Sequence, residues 1–133
     1  MNKIIVKTTS RREMIDVTDH LRRAVAEAGL ADGLVVAFIP HTTAGITINE
    51  NADPDVRRDL LAHLARLVPE TGDFRHSEGN SDAHIQASMT GSSVTVIVSG
   101  GKLQLGAWQS VFLCEFDGPR SRSLYVQTIA GGK

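Results

Sequence analysis

Residues 94–98 read VTVIV, residues 107–115 read AWQSVFLCE and residues 123–129 read SLYVQTI, three β-rich runs in close succession. Val, Ile, Thr, Tyr and Phe suit a pleated, half-buried surface, so each run is expected to be a strand. The segments between them, 99–106 (SGGKLQLG) and 116–122 (FDGPRSR), carry the Gly, Pro, Asp and Ser of turns. Parallel neighbours need a crossover of roughly a dozen residues or more, and these connections are shorter. The C-terminal part of the chain is therefore expected to form antiparallel sheet, and that reading decides the fold class.

Working upstream, residues 84–89 (HIQASM) are ambiguous between a short helix and an irregular segment, and 70–82 is a polar, Gly-containing loop. Before it stands the clearest helix signal of the chain. Asp53 caps, Pro54 fits the first helical position, Asp55 complements the positive end of the dipole, and Val56, Leu60, Leu61, Leu64 and Leu67/Val68 form an apolar stripe that Pro69 ends. Ala44–Asn49 alternates, and Gly33–Ile39 is a buried strand broken by Pro40. Thr18 is read as the N-cap of an earlier helix, with Leu21, Ala24, Val25 and Ala28 at helical spacing and Gly29 at its end. Residues 3–9 (KIIVKTT) are the first strand. The order β-α-β-β-α followed by three strands predicts one α+β domain over residues 1–133, a largely antiparallel sheet or sandwich with two main helices.

Bulk properties narrow the function. The chain has 133 residues, 41% of them hydrophobic but only 5% aromatic, so Ile, Val and Leu must fill the interior. Its 14 Lys and Arg are matched by 15 Asp and Glu, which leaves no basic excess for a general nucleic-acid binder. The paired arginines Arg11-Arg12, Arg22-Arg23 and Arg57-Arg58 are expected to be solvated for the most part. The single Cys114, inside an apolar run, reads as a buried structural thiol. No stretch approaches the ~20 apolar residues of a membrane span, and no secretory leader is evident, so a cytoplasmic protein without membrane partners is expected.

Four polar clusters fall at strand ends or in loops, where rigid elements present side chains. They are Pro40–Thr43, Asn49–Asp53, His76–His84 and Glu115–Arg122. Each has a plain structural reading: a turn contact for His41, helix capping for Asn49–Asp53, turn composition for Asp117-Gly118-Pro119. Together they collect imidazoles, carboxylates, guanidiniums and amides. His41, His76 and His84 are the candidate ligands of a divalent ion, Mg or Zn, although no close-spaced metal motif is present. Lys102 in its Gly-rich segment could meet a phosphate, but Leu103 follows where a Walker loop needs Ser or Thr, and a tight strand connection is the favoured reading. Arg120 and Arg122 are better phosphate partners, because guanidiniums bind phosphate oxygens bidentately.

His41-Thr42-Thr43-Ala44 followed by Thr47-Ile48-Asn49-Glu50-Asn51, then Asp53–Asp59, His84–Met89 with Gly91-Ser92-Ser93, and Gly101–Gln109 leading to Glu115, resemble the blocks of the YjbQ-type family in the family's order. The resemblance implies an α+β homotrimer with weak, secondary thiamine-phosphate synthase activity, a transferase that joins aminomethylpyrimidine pyrophosphate to thiazole phosphate and releases pyrophosphate. On that reading Arg120 and Arg122, with Lys102 or a divalent ion, hold phosphates of small phosphorylated metabolites. His84 donates a proton or hydrogen bond to the leaving group, and Asp117 or Glu50 orients it, binds the metal or contacts the aminopyrimidine. His41, Thr42, Asn49, Asn51 and Trp108 line the pocket. Two other readings stay open: a metal-dependent hydrolase or lyase acting on a small phosphorylated metabolite, and a metabolite-binding trimer without catalysis.

Overall fold

The computed structural model describes residues 1–132. In chain order its elements are β1 (Asn2–Lys7), β2 (Glu13–Asp16), α1 (Thr18–Glu27), β3 (Gly33–Phe38), β4 (Ala44–Glu50), α2 (Pro54–Leu67), α3 (Ser81–Thr90), β5 (Ser93–Ser99), β6 (Lys102–Leu103), β7 (Gln109–Glu115) and β8 (Ser121–Ala130). The strands form a five-stranded sheet ordered β1-β8-β3-β5-β6 and a three-stranded sheet ordered β2-β7-β4. Their pairings are antiparallel, as expected, but the three C-terminal strands read from the sequence do not pair with one another: β5 pairs with β3 and β6, β7 with β2 and β4, and β8 with β1 and β3, so the short β7–β8 connection crosses from one sheet to the other.

The two sheets face each other across the main core. Val35, Ala37, Val96, Val98, Leu124 and Val126 of the first meet Ile46, Val111 and Leu113 of the second, with Val17, Leu21 and Val25 of α1 and its N-terminal flank packed among them; none is more than 4% exposed. Strand β7 is buried on both faces. Its other side turns Phe112 and Cys114, with Phe116 just beyond, toward Met14, Ala83 and Ala87, and Leu60, Leu61 and Leu64 of α2 close that second cluster. The layers therefore run five-stranded sheet, three-stranded sheet, helices α2 and α3. A strand covered on both faces reads as a continuous apolar run, which is why 111–114 shows no alternation. Cys114 is 3% exposed there, and burial pushes its thiol up to about 12.

The helix count differs from the sequence reading. Residues 84–89 belong to a third helix, α3, and the polar loop ends at Asn80 instead of Asp82. Its periodicity is hidden because its buried face mixes Ala83 and Ala87 with Asp82 and Gln86, while Ile85 and Met89 face outward. The Gln86 side-chain amide donates to the carbonyls of Leu64 and Val68, tying α3 to the end of α2. Asp82 is fully buried and takes a 2.6 Å ion pair from Arg12 and a 3.4 Å pair from Arg11. These two arginines, expected to be solvated, are thus structural. Arg57 is another such exception, lying 4.8 Å over the Phe112 ring.

At α2 the capping reading holds: Asp53 accepts the N–H of Asp55 at 2.9 Å. Leu67 departs from the expected stripe and is 57% exposed. Thr18 is the first residue of α1, not its cap. Its hydroxyl donates to Asp16 at 2.5 Å and accepts the N–H of Val111, joining the helix start to β7.

Candidate functional site

Three connections meet at one end of the sandwich: Pro40–Thr43 between β3 and β4, the 76–84 segment that enters α3, and the 117–120 turn between β7 and β8. Between them lies an open cleft of about 400 Å³ faced by His41, Thr42, His76, Asn80, His84 and Arg120. A neighbouring depression of about 480 Å³ shares His41, Thr42 and His84, and is walled by the small residues Ala44, Ala87 and Gly91. His41 and His84 therefore stand on the divide between a polar cleft, which Arg120, Arg122 and Glu78 also line, and one lined with small side chains.

The floor is a buried ion pair. Glu115 is fully buried at the end of β7, and Arg122 on β8 is 4% exposed. Arg122 gives both Nε and Nη2 to the Glu115 carboxylate, and Nη2 also donates to Thr43 Oγ1 at 2.8 Å. Thr8 donates its hydroxyl to Glu115 at 2.7 Å. Arg122 touches the cleft, but its main bonds go to the frame. The sequence reading gave it to a ligand; a carboxylate inside an apolar strand demands such a partner first. Gly118 allows this packing, since a Cβ there would stand 2.3 Å from the Ser10 carbonyl and 2.8 Å from the Glu115 side chain.

His41 sits over this pair. Its Nε2 accepts the Ser123 N–H at 2.8 Å, which places the proton on Nδ1. Burial is the main cause that lowers its pKa; Arg122 and Arg120 lower it further and Glu115 partly opposes them. His41 is thus a neutral, fixed imidazole with one N–H to offer. The His84 ring makes no hydrogen bond to protein among the described residues and packs edge-to-face with His76, centroids 5.3 Å apart. It is free to serve a ligand.

Asp117 is held on several sides. Asn80 Nδ2 donates to its carboxylate at 2.8 Å, Arg120 Nη2 pairs with it at 2.9 Å, and Arg11 stands 3.7 Å away. Desolvation pushes its pKa up, but the Asn80 and Arg120 hydrogen bonds and the Arg120 and Arg11 charges outweigh it and hold the group below the usual carboxylate range. Asp117 is an ionised anchor for Arg120, which remains 51% exposed at the cleft mouth. Within the chain it braces Arg120 and does not contact His84 through any hydrogen bond among the described residues.

The other expected site residues lie elsewhere in the chain. Asn49, Glu50, Asn51 and Trp108 cluster at the far end of β4, roughly 20 Å from His41 by strand rise. Asn49 accepts its neighbour Glu50's N–H, while Asn51 bonds Asp16 and Arg57, so these amides secure the β4–α2 corner. Trp108 is 66% exposed, and its carbonyl accepts the Asn51 N–H. Lys102 lies on the edge strand β6, at the end of β5 remote from Ser93 and the cleft, as part of a tight connection. His41, His76 and His84 all face the cleft, yet among the described residues no three His, Cys, Asp or Glu side chains are grouped to hold a metal ion. The expected ligand set does not fit, and no step below passes through a metal.

Sequence reasoning overlooked Arg11 and the framing roles of Glu115 and Thr43. Glu115 carried a legible signal, as a lone carboxylate in the run Val111–Phe116. Arg11 carried none, because its partners are remote in sequence.

A sequence model of the family described as "UPF0047 protein YjbQ-like" matches residues 2–131. A UPF0047 protein of Methanocaldococcus jannaschii is 50% identical over 127 residues, covering 96% of this chain and 92% of that protein. The UPF0047 protein YugU of Bacillus subtilis is 49% identical, covering 92% of this chain and 93% of its own length. Among solved structures, an uncharacterized conserved protein of the yjbq/upf0047 family from Clostridium acetobutylicum superposes with a TM-score of 0.96 at 52% identity, covering 97% of this chain and 100% of that one. A YbjQ-like protein of unknown function from Sulfolobus solfataricus gives 0.93 at 31% identity, with 98% and 96% covered.

Proposed function

The chain belongs to the UPF0047 YjbQ-like family, and on that premise we propose that the cleft binds a small pyrophosphorylated metabolite and transfers its organic part, slowly, to a second substrate, as a weak thiamine-phosphate synthase. The supporting observation is the pairing, across His41 and His84, of a polar cleft that presents the half-exposed Arg120 with one lined by small residues. A transfer reaction with an anionic leaving group uses both. One side stabilises charge that grows in the transition state, and the other seats the organic part in line with its acceptor.

In this reaction the thiazole nitrogen uses its lone pair to form a C–N bond to the methylene carbon of the aminopyrimidine. The C–O bond of that carbon breaks, and pyrophosphate leaves with the electron pair. Arg120, braced by Asp117 and half exposed, offers charge-assisted donors to the departing phosphates. The Nδ1–H of His41 and the Thr42 hydroxyl add neutral donors on the same wall. His84 gives a proton or a hydrogen bond to the leaving oxygen, the role its unengaged ring leaves open. Arg122 and Glu115 keep the wall in place.

The family resemblance also carries the proposal that the protein assembles as a homotrimer. The reaction is tested with protein purified from a host that lacks its own thiamine-phosphate synthase, incubated with both substrates. Slow, enzyme-dependent formation of thiamine phosphate and pyrophosphate is expected. Phosphate release from either substrate alone would point to a hydrolase instead. Thermal stabilisation by the substrates without any product would make the protein a metabolite binder.

A further inference from the structure

Strand β1 ends the five-stranded sheet, and among the described residues its one ladder is with β8. The N–H of Thr8 donates to the Arg120 carbonyl at 2.8 Å, in the same register that sets Lys7 opposite Ser121. Hydrogen-bonded pairs of an antiparallel ladder recur at every second residue, so Val6, Ile4 and Asn2 also turn their main-chain groups toward β8. Lys3, Ile5 and Lys7 therefore turn theirs to the open edge. At the opposite side of the sheet β6 is cut short at two residues, whereas β1 runs for six. Helix α1 stands across a groove of about 500 Å³ from this edge, with Lys3 on one wall and His20, Arg23 and Glu27 on the other. Past Asn2 the groove continues into a second depression of about 260 Å³. Asp19 takes up the neighbouring Arg22 at 2.7 Å, but the side chains of Lys3, His20 and Arg23 make no hydrogen bond or ion pair among the described residues.

From this juxtaposition we infer that the groove between β1 and α1 docks an extended, acidic peptide segment of another protein, added to the sheet as a further strand beside β1. The outward main-chain groups of Lys3, Ile5 and Lys7 supply the hydrogen bonds, and the groove supplies the selection. Lys3, Lys7 and Arg23 outweigh Glu27, the one acid on the wall, so an acidic segment is attracted and a basic one repelled. The same lysines turn away a second copy of this chain. Two β1 strands paired antiparallel about Ile5 would set Lys3 of one opposite Lys7 of the other, and like charges directly opposite are destabilising. The apolar residues Ile4 and Ala24 lie between the charged walls and take the alternate side chains of the incoming strand. This surface is separate from the cleft at His41 and His84 and stands whatever reaction occurs there.

The probe is a dye-labelled, blocked peptide of alternating glutamate and valine, as long as β1, titrated with the full chain and followed by fluorescence anisotropy. It is expected to bind, and its lysine-valine counterpart is not. Two substitutions at one position separate main chain from charge. Lys3→Gln removes the charge and keeps the N–H, and should weaken binding by about twofold to fivefold, as should Arg23→Gln. Lys3→Pro also removes the outward N–H, a change that an edge strand tolerates, and should weaken binding by about a further threefold to tenfold at the melting temperature of Lys3→Gln. Methylating every main-chain nitrogen of the probe should abolish binding to the unaltered protein, which keeps the test decisive if the proline variant folds poorly. Equal binding by Lys3→Gln and Lys3→Pro, or undiminished binding of the methylated probe, would reduce the contact to surface charge and overturn strand addition. An acidic probe that does not bind, or binds no better than the basic one, would overturn the site. An assembly mass that falls in Lys3→Pro but not in Lys3→Gln would give the edge to a second copy and overturn it as well.

Discussion

Arg120 and Arg122 meet very different surroundings although one residue separates them. Arg122 is 4% exposed and committed to Glu115 and Thr43; Arg120 is 51% exposed and leans on Asp117. Arg120→Ala should weaken pyrophosphate binding by about 1–3 kcal/mol with little change in melting temperature. Arg122→Ala should instead cost about 3–5 kcal/mol of stability, because it strands the buried Glu115 carboxylate. Denaturant melts and calorimetry on the two variants check the contrast. His41 supplies a pH signature. Its folded pKa is depressed, so below the ordinary value of about 6.5 the unfolded chain takes up the proton first, and stability declines as pH falls until the folded pKa has been passed. Asp117, also depressed, adds a second decline below the ordinary carboxylate range of about 3.9. Melting temperature against pH should show the upper decline in the parental protein and lose it in His41→Asn. At this scale the sequence disclosed which residue types gather near the cleft, since His41, His84 and Arg120 stand in loops or beside them. It could not separate Arg120 from Arg122, because their burial depends on how the turn seats β8 against β7.

The element that shapes the cleft most is α3. Its first turn carries Asp82, fully buried, and the pairs to Arg11 and Arg12 bind the helix to the β1–β2 connection. Glu70 bridges the same two arginines from the surface at 3.2 and 3.3 Å, and Arg11 continues the network to Asp117. Asp82→Ala should therefore cost about 3–5 kcal/mol by leaving Arg12 without its buried partner. The parallel Glu70→Ala change, in an exposed pair, should cost no more than about 1 kcal/mol. Urea unfolding of both variants tests the difference. The strands were legible because β-branched residues and turn signals have a short range, and α2 was legible from its Asp53-Pro54-Asp55 start. Helix α3 was not, since Asp82 and Gln86 occupy buried positions that periodicity expects to be apolar. Strand β2 was missed for a related reason: four residues, Glu13–Asp16, with charges at both ends present no recognisable pattern.

At the scale of the whole molecule, the outer face of the five-stranded sheet leaves Ile5, Leu34, Phe38, Ile97 and Ile129 between 37% and 62% exposed. A small chain with few aromatics gains stability by taking such a face out of water, and association of identical copies does so. The proposed homotrimer should appear in light scattering coupled to size exclusion as about three times the 14.3 kDa chain mass. A clean monomer at micromolar concentration would count against it. The central claim concerns chemistry at His84, and one measurement addresses it most directly: the rate of thiamine-phosphate formation by pure His84→Ala protein relative to the parental chain, both made in a host without its own synthase. A loss of roughly 10²–10⁴-fold, at unchanged melting temperature and assembly mass, is the predicted result. A variant that keeps more than about a tenth of the parental rate, or a parental protein that forms no product at all, would contradict it.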